Sequence, residues 1–400
     1  MKKVLISTIQ PVTGGVPMML NFVLGCLAER ECEVTIAYYE PYSVSPNYSV
    51  PFFKLPMFKS PSNKTGENFQ GKKCVGVGCW FPELEFTNYS ATSQWKTLIQ
   101  EHDVHLCASG SAMAALPYVQ TQTEFLAWVA TDWLGDRIHR VKEFSWPRRV
   151  LDRFFVSPIT KRLEKSIIHS GTLIALSDHT EVELNKIAST KVVDHVMPMP
   201  IDTELFRPCK ENSNTDVFKI GFLGRFDDPR KNIGLLLDSF SELIKDNIPV
   251  ELTLIGGELS KAHAQRVKEL EIDAHLTVVP YVERHLLPGI LSSWEIFVIP
   301  SHQEGLCIAA LEAMSCGVPV ISTKCGGPEG YINDGENGIL IEHTVGELKE
   351  AVIRLYSNSH LREAYAAAAR STVVADFSVQ SASTQFLNIY DKMCFPVKTQ

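Results

Sequence analysis

The chain has 400 residues, a length that favours two domains because it exceeds what one hydrophobic core usually organises. Hydrophobic residues make up 45% and charged residues 21%, proportions that are typical of folded globular proteins and far from those of disordered or fibrous chains. The formal net charge of -8 argues against a nucleic-acid-binding protein, since neutralising phosphates requires a concentrated basic surface.

Neither a signal peptide nor a membrane-spanning helix is expected. Residues 1–10 hold a charged pair and a short apolar run, without the longer apolar region and cleavage site of a signal peptide. No stretch approaches the roughly 18 to 20 apolar residues that cross a bilayer. The 10 cysteines lack the two-residue spacing of zinc sites. The sequence therefore predicts a cytoplasmic protein with reduced, mostly buried thiols and no metal.

The first half of the chain is predicted to alternate strands and helices. The predicted strands are 4–9, 34–39, 104–109, 125–130 and 172–176, and the predicted helices are 18–28 and 93–101. Residues 41–79 are rich in Pro, Ser, Asn and Gly and predict a long irregular excursion. The alternation indicates a parallel sheet with helices on both faces.

A polar stretch at 202–216 predicts a domain boundary, after which the same alternation starts again. The predicted strands are 218–223, 250–255, 276–279, 296–299 and 318–322, and the predicted helices are 233–246, 262–270, 286–293 and 307–316. The chain thus predicts two successive doubly wound sheets. Ligands of such sheets bind beyond the carboxyl ends of the strands, and a crevice between two facing domains is the expected site.

The densest chemical signal runs through residues 300–341. Glu304 lies in a polar loop after a predicted strand, and Glu312 lies two turns into the following helix. The loop end and the helix start offer backbone N–H groups and a positive dipole, which suit a phosphate. Glu312 would accept hydrogen bonds from ribose hydroxyls. The alternative is a surface carboxylate, although the surrounding helix is apolar.

A second cluster follows the first strand of the second half, at residues 221–232. Gly224 frees the backbone at the strand end, Arg225 offers a planar fork of donors, and Lys231 follows on the same polar loop. The two cations are suited to clamp a diphosphate. The alternative is an ordinary charged connecting loop, but its position after a strand, in the same half as the phosphate-suited helix, favours binding.

These motifs together resemble the retaining glycosyltransferases with the GT-B fold, often called family 4. The resemblance rests on GR followed six residues later by Lys, on the two glutamates eight apart in EGLCIAALEAMSCGVPV, and on GGPEGYINDGENGILI. It covers nearly the whole chain and includes the N-terminal TGGVPMMLNFVLGCLAERECEVTI and the C-terminal SVQSASTQFLNIYDKM.

The resemblance implies two Rossmann-like domains that face each other across a cleft. It implies an acceptor-side domain at 1–201, a nucleotide-sugar-binding domain at 202–377 and a helix at 378–395 that crosses back to the first domain. The activity would be transfer of a hexose from a nucleotide-sugar donor to a saccharide, lipid-linked or small-molecule acceptor, with retention of the anomeric configuration and without a metal or other cofactor. Nucleic acid is not expected as a partner.

The resemblance also implies roles for individual residues. Arg225, Lys231 and Glu304 would be catalytic, the first two by neutralising the diphosphate and the third by contacting the transferred sugar or its phosphate. The donor-binding residues would be Gly14, Gly15, Gly224, Arg225, Lys231, Glu304, Gly305, Leu306, Cys307 and Glu312. On the acceptor side, Thr131 takes the position of a histidine common in the family and Asp132 is kept. Met199 and Pro200 replace the usual Asn-Gly at the domain junction.

Basic and aromatic residues are interleaved over residues 137–165. This pattern is compatible with peripheral contact to anionic lipid, and relatives that glycosylate lipids dock in this way. The alternative is a solvated helix, because the acidic residues Glu143, Asp152 and Glu164 dilute the charge.

Two other functions compete with glycosyl transfer. One is another enzyme on the same architecture, such as a nucleotide-sugar epimerase or a glycoside hydrolase that uses Glu304 and Glu312 as an acid/base pair. The second glutamate, two turns inside a helix, is poorly placed for that pair. The other is a non-catalytic two-domain sugar-binding protein, which would have no use for the cations Arg225 and Lys231.

Overall fold

The computed structural model describes residues 1–10, 15–57, 59–137, 141, 144–209, 217–226 and 228–394. The chain divides into two units. Unit 1 comprises Met1–Pro198 and the chain from Ser383 onward, and unit 2 comprises Met199–Ala382. The division predicted from the sequence lies within a few residues of these bounds.

Unit 1 is built on one sheet. Its strands are β1 (Lys2–Thr8), β2 (Cys32–Tyr39), β3 (Asn63–Phe69), β4 (Lys72–Val77), β5 (Val104–Ser109), β6 (Leu126–Val129), β7 (Thr172–Ala175) and β8 (His195–Val196). They lie in the order β3-β4-β2-β1-β5-β6-β7-β8, and all neighbours are parallel except β3, which is antiparallel to β4. Without the two edge strands β3 and β8, this is the strand order of a doubly wound fold.

Helices cover this sheet and bury its apolar strands. They are α1 (Gly15–Ala28), α2 (Ser93–Gln100), α3 (Leu116–Gln120), α4 (Trp133–Arg137), α5 (Trp146–Leu151), α6 (Ser157–Ile168) and α7 (Asp178–Ala188). A π-helical turn, Asp152–Val156, joins α5 to α6. The central strand β5 is buried at every position, which is why such strands are continuous apolar runs in the sequence.

The irregular excursion predicted for residues 41–79 is wrong in part, because it contains strands β3 and β4. The outer strand β3 has only one neighbour, so its sequence NKTGENF is largely polar and lacks a strand-like apolar pattern. The register of the pair also shifts after Thr65. An edge strand with an irregular register carries little periodicity from which it could be predicted.

Unit 2 is a second parallel sheet. Its strands are β9 (Phe218–Leu223), β10 (Val250–Ile255), β11 (Leu276–Val279), β12 (Ile296–Ile299), β13 (Val320–Thr323) and β14 (Gly338–Ile341). Its helices are α8 (Ile233–Lys245), α9 (Lys261–Glu269), α10 (Leu287–Ser292), α11 (Ile308–Ser315), α12 (Val345–Tyr356) and α13 (Ser359–Asp376). The strand order is β11-β10-β9-β12-β13-β14, the doubly wound order in full. The predicted doubly wound sheets are confirmed.

The last helix, α14 (Val379–Cys394), packs on unit 1 through its residues from Ser383 onward. The ring of Phe386 lies edge-on to Phe22 of α1, with centroids 6.1 Å apart. Near the end of the helix, Arg30 forms an ion pair with Asp391 at 2.7 Å. Both contacts join residues more than 350 positions apart, so the C-terminal helix belongs to the core of the N-terminal unit.

Within the residues that the structure describes, no helix is long and apolar enough to cross a bilayer. All ten cysteines are free thiols, and six of them are buried. These observations agree with the reduced, mostly buried thiols that the sequence predicts.

Candidate active site

The order of strands in unit 2 reverses between β9 and β12. The chain adds β10 and β11 on one side of β9 and then returns to add β12, β13 and β14 on the other. At such a switch point the loops after the two central strands diverge and leave a crevice at the carboxyl edge of the sheet. The two motifs predicted from the sequence occupy these two loops, residues 224–232 after β9 and residues 300–307 after β12.

The structure brings the two motifs into direct contact. Lys231 Nζ lies 2.7 Å from Glu304 Oε1. The loops are also joined through their backbones, since the His302 amide donates to the carbonyl of Arg230 at 2.7 Å. The amide side chain of Asn232 donates to the carbonyl of Pro300 at 3.1 Å. Residues separated by about 70 positions thus form one site.

Lys231 and Glu304 form a largely buried ion pair, with 18% and 10% of their side chains exposed. Ser301 Oγ donates a second hydrogen bond to Glu304 Oε1, at 2.6 Å. Burial alone would lower the pKa of Lys231, but the neighbouring carboxylate outweighs burial and holds this pKa above its ordinary value. Lys231 is therefore a cation at neutral pH and its ammonium group is fixed in position.

The backbone of the Glu304 loop is held by the segment after β13. Glu304 N donates to Cys325 O at 2.8 Å, and Gly327 N donates to Glu304 O at 2.9 Å. Gly327 must be a glycine, because a Cβ there would lie 2.5 Å from the carbonyl oxygen of Gly305 and 2.6 Å from Leu306 Cα. The position of residues 304–306 thus depends on the backbone of residues 325–327, which packs directly against them.

Arg225 remains available to a ligand. Its side chain is 56% exposed, and its guanidinium lies 3.5 Å from Asp228. Asp228 is held more closely by Arg230, at 2.7 Å. Burial would raise the pKa of Asp228, but hydrogen bonds and charge from Arg230 hold it below its ordinary value. Arg230 thus neutralises Asp228, and Arg225, which follows Gly224 at the end of β9, faces solvent.

Helix α11 begins at this site, directly after Gly305, Leu306 and Cys307. Cys307 adopts the left-handed conformation with φ of 65°, which non-glycine residues adopt rarely and mostly where function or surrounding structure requires it. Burial raises the pKa of its thiol to about 12, so Cys307 is neutral at neutral pH. The start of the helix directs the positive end of its dipole to the same edge as Lys231.

Glu312 is buried, and the alternative of a surface carboxylate is wrong. Its exposed fraction is 3%. Its Oε1 lies 2.7 Å from the guanidinium of Arg284, in the turn that precedes α10. Burial raises the pKa of Glu312, and Arg284 partly reverses this rise. Arg284 was not predicted from the sequence, because 28 residues separate it from Glu312 and no regular spacing connects them.

The acceptor-side residues Thr131 and Asp132 follow β6 in unit 1, and both are buried. Asp132 Oδ2 accepts a hydrogen bond from Gly135 N at 2.6 Å, at the start of α4. Beside it, Glu164 of α6 accepts from Trp133 N at 2.7 Å. Burial raises the pKa of Glu164 to about 8. The proximity of Glu164 to Asp132 was not predicted from the sequence.

Of the glycines predicted in unit 1, Gly15 is the first residue of α1 and is exposed. Gly14 lies outside the described residues. No contact of Gly15 bears on its predicted role, which stays a prediction.

The basic and aromatic stretch forms α5, the π-helical turn and α6. Trp146, Phe154 and Phe155 are 74%, 66% and 59% exposed. In contrast, two of the acidic residues that were expected to dilute its charge are buried. Asp152 is 3% exposed and forms an ion pair with Arg137 at 2.5 Å, while Glu164 is fully buried. Glu143 lies outside the described residues. Among the described residues, the exposed face of α5, the π-helical turn and α6 is therefore more basic than the sequence suggests.

Across the described part of the chain, no group of three His, Cys, Asp or Glu side chains is arranged to hold a metal ion.

Comparisons with known proteins match unit 2 in sequence and nearly the whole chain in fold. Residues 206–372 match the family model of glycosyl transferases group 1. The D-inositol 3-phosphate glycosyltransferase of Corynebacterium jeikeium is 26% identical over 258 residues, which are 59% of this chain and 61% of that protein. The chain matches about half to three-fifths of the length of such curated relatives.

Solved structures resemble the whole chain in fold. Sucrose-phosphate synthase from Thermosynechococcus elongatus has a TM-score of 0.76 at 18% identity, with 98% of this chain and 99% of that chain covered. Anabaena HepE in complex with UDP-glucose has a TM-score of 0.70 at 15% identity, with 98% and 100% covered. These neighbours have the GT-B fold, which confirms the predicted fold class.

The matched region contains Lys231, Glu304, Arg284 and Glu312, the residues that form the two ion pairs described above, and it also contains Arg225. The match to the family model of glycosyl transferases group 1 therefore covers residues 206–372, which make up most of unit 2.

Proposed function

We propose that the protein transfers a hexose from a nucleotide-sugar donor to an acceptor hydroxyl. The observation that carries this proposal is the contact between Lys231 and Glu304 at the switch point of unit 2, where the loop that holds Lys231 also carries the exposed side chain of Arg225. Two cations and the start of α11 offer complementary charge to a diphosphate. The carboxylate of Glu304 lies next to Lys231, where it can accept hydrogen bonds from the sugar.

The proposed chemistry follows from these charges. Breaking the bond between the anomeric carbon and the diphosphate oxygen leaves positive character on the sugar and negative charge on the leaving group. Lys231, paired with Glu304, which Ser301 also holds, and the exposed Arg225 would stabilise the leaving diphosphate. Glu304 would orient the sugar, and Glu312 would hold the ribose hydroxyls. Gly305, Leu306 and Cys307 would line the diphosphate.

The donor is tested with a panel of UDP-, GDP-, ADP- and dTDP-sugars, beginning with UDP-glucose because HepE has been solved in complex with it. We expect one donor to raise the melting temperature and to be hydrolysed slowly without an acceptor. An acceptor panel of saccharides, lipid-linked sugars and small polyols then identifies the second substrate. If no nucleotide sugar stabilises the protein, the proposed function is wrong.

We also propose that transfer retains the anomeric configuration and needs no metal. Arg225, Lys231 and the dipole of α11 supply the positive charge that a divalent cation supplies in other enzymes. Transfer should therefore continue in excess EDTA, and proton NMR of the first product should show the anomeric configuration of the donor. Loss of activity in EDTA with rescue by magnesium or manganese would contradict metal independence.

The same experiments separate the competing functions. An epimerase would convert the donor without releasing a nucleoside diphosphate, and a binding protein would be stabilised without turnover. A hydrolase that uses Glu304 and Glu312 as its acid and base is disfavoured. Glu312 is 3% exposed and paired with Arg284, whereas both carboxyl groups of a hydrolase must flank the scissile bond.

We further propose a cytoplasmic location with peripheral contact to anionic membranes through unit 1. Trp146, Phe154 and Phe155 are exposed aromatic residues, and exposed Arg149 and Arg153 lie beside them. Aromatic side chains favour the interfacial region of a bilayer, and each basic residue near an anionic surface adds about 1 kcal/mol.

A second exposed segment adjoins this face. Phe52 and Phe53 are 71% and 68% exposed. The backbone amide of Phe52 donates to Glu83 Oε1 at 3.2 Å, and Arg148 of α5 donates to Glu83 O at 3.2 Å. Glu83 therefore holds both the backbone of Phe52 and the side chain of Arg148. The exposed aromatic residues of these two segments can contact one surface together.

Co-sedimentation with vesicles tests the membrane contact. We expect binding to vesicles that contain phosphatidylserine and much weaker binding to pure phosphatidylcholine. The double substitution Phe154→Ala and Phe155→Ala should release the protein, while Tyr281→Ala, which removes a 77% exposed aromatic residue from unit 2, should not. Equal binding of the double variant and the wild type would contradict the proposed surface.

A further inference from the structure

We infer that Arg284 is a positioning residue for the nucleotide site, which keeps the buried carboxylate of Glu312 charged and oriented. The inference deepens the proposed function, since it rests on Glu312 binding the ribose. Its basis is the ion pair of 2.7 Å between Arg284 and Glu312, whose side chains are 45% and 4% exposed.

Arg284 is held by more than this ion pair. It lies in the turn Arg284–Leu286, and its guanidinium lies 4.9 Å from the centroid of the Phe206 ring. Phe206 is itself fixed, because its carbonyl accepts hydrogen bonds from Ser315 Oγ at 2.5 Å and from Arg370 at 3.2 Å. A guanidinium held against an aromatic ring has little freedom to leave the carboxylate.

Arg284 is the cation that compensates the charge of Glu312 among its described neighbours. The thiols of Cys307 and Cys316 also lie near this carboxylate, but burial raises the pKa of each to about 12, so both are neutral at neutral pH. Arg370 instead directs its guanidinium to backbone carbonyls. Removing Arg284 would therefore leave Glu312 in an apolar helix with burial as the dominant influence on its pKa.

The consequence for the nucleotide is specific. An ionised carboxylate accepts hydrogen bonds from both ribose hydroxyls, whereas a protonated one loses part of this capacity. Without Arg284, the pKa of Glu312 would rise further and the carboxyl would be protonated at a higher pH. Affinity for the nucleotide would then be weakened at lower pH and regained as the pH rises. A residue that merely stabilises the fold would not move this pH dependence.

The test uses Arg284→Gln, Arg284→Lys and Glu312→Gln in the full chain. UDP, GDP and ADP are titrated first, and the tightest of them serves as the probe between pH 6 and pH 9. We expect Arg284→Gln to weaken binding about tenfold or more at pH 7, the size of effect typical for a hydrogen bond to a charged group. The lost affinity should return as the pH rises, and Arg284→Lys should keep most of it. Glu312→Gln should bind weakly at every pH.

A second measurement needs no nucleotide. A glutamate whose folded-state pKa is raised contributes stability that is present below its unfolded pKa and is lost as the pH rises through its folded pKa. Because Arg284→Gln raises that folded pKa further, its melting temperature should fall increasingly below that of the wild type as the pH rises. Adding Glu312→Gln should remove this dependence.

The two measurements separate the inference from the proposed function. If neither these three nucleotides nor a dTDP-sugar binds the wild type, the proposed function fails, while the melting temperatures still test the link between Arg284 and Glu312. The inference is overturned if Arg284→Gln binds the probe like the wild type, or if its loss of affinity and stability is the same at every pH.

Discussion

The two units carry sheets of the same doubly wound order, but the carboxyl edges of these sheets differ in charge. At the edge of unit 2, Lys231 pairs with Glu304 and Arg225 faces solvent. At the edge of unit 1, Asp132 and Glu164 accept hydrogen bonds from backbone amides at the start of α4. One edge therefore offers cations to a ligand, and the other uses its carboxyl groups to hold its own backbone.

This difference shows that strand order selects where a site can form, while side chains select what it can bind. A diphosphate requires compensating positive charge, which the edge of unit 2 provides and the described carboxyl groups after β6 do not. This charge is why we propose that the donor binds to unit 2.

The largest expected effect comes from removing the cations of unit 2. Arg225→Ala or Lys231→Ala should slow saturating turnover by roughly a hundredfold to a thousandfold, because one preorganised donor is worth ~3 to 4 kcal/mol in the transition state. Turnover, donor affinity and melting temperature are measured for each variant. Lys245→Ala, which removes a 61% exposed lysine from α8, is the matched control. A variant that raises only the Michaelis constant would show that its residue anchors the donor without acting in catalysis.

Glu164→Gln tests the edge of unit 1. Burial raises the pKa of Glu164 to about 8, so its contribution to stability is present below the unfolded value near 4.5 and is lost as the pH rises to about 8. By pH 7 this loss of folding stability is of order 3 kcal/mol. The Glu164→Gln substitution should abolish the loss. Melting temperatures between pH 5 and pH 9 are compared for the wild type, Glu164→Gln and the exposed control Glu101→Gln. Parallel pH profiles of the wild type and Glu164→Gln would contradict a buried, protonated Glu164.

Gly327→Ala tests the backbone at the edge of unit 2, because the added Cβ displaces the backbone at Gly305 and removes no charged group. Overpacking of this kind typically costs about 1 to 3 kcal/mol, and we expect it to appear as weaker donor binding as well as lower stability. Gly346→Ala is the control, since a Cβ there meets nothing within 4 Å. If both alanine variants bind the donor like the wild type, the backbone at residue 305 does not contribute to the site.

The smallest expected effect is that of Glu312→Gln on ribose recognition. Glutamine keeps the shape of the side chain but loses the charge, which we expect to weaken discrimination between a nucleoside diphosphate and its 2'-deoxy form by about 1 kcal/mol. The affinities of both nucleotides are measured for wild type and variant. Equal discrimination by the two proteins would show that Glu312 does not hold the ribose.

The sequence alone predicted most of the fold and the edge of unit 2 at which the Lys231 and Glu304 motifs meet. Five of the six strands of unit 2 were placed within about two residues, because parallel strands buried on both faces are unbroken apolar runs, whereas β14 was not predicted. The Lys231 and Glu304 motifs could be assigned to one edge of the sheet, since each follows a strand. The loops after all parallel strands lie at that edge. The order of strands and loops in the sequence was therefore enough to predict that these motifs lie near each other.

Only the tertiary structure decided which partners these residues have. The pairing of Glu312 with Arg284 and the hydrogen bond from Trp133 to Glu164 each join elements through packing, which leaves no spacing in the sequence. The burial of Asp152 depends on its contact with Arg137 in the same way. A sequence gives the number of charged residues but not the strength of their interactions. The interactions of each charged side chain depend on its burial and on the nearest opposite charge, and both are set when the helices pack against the sheet.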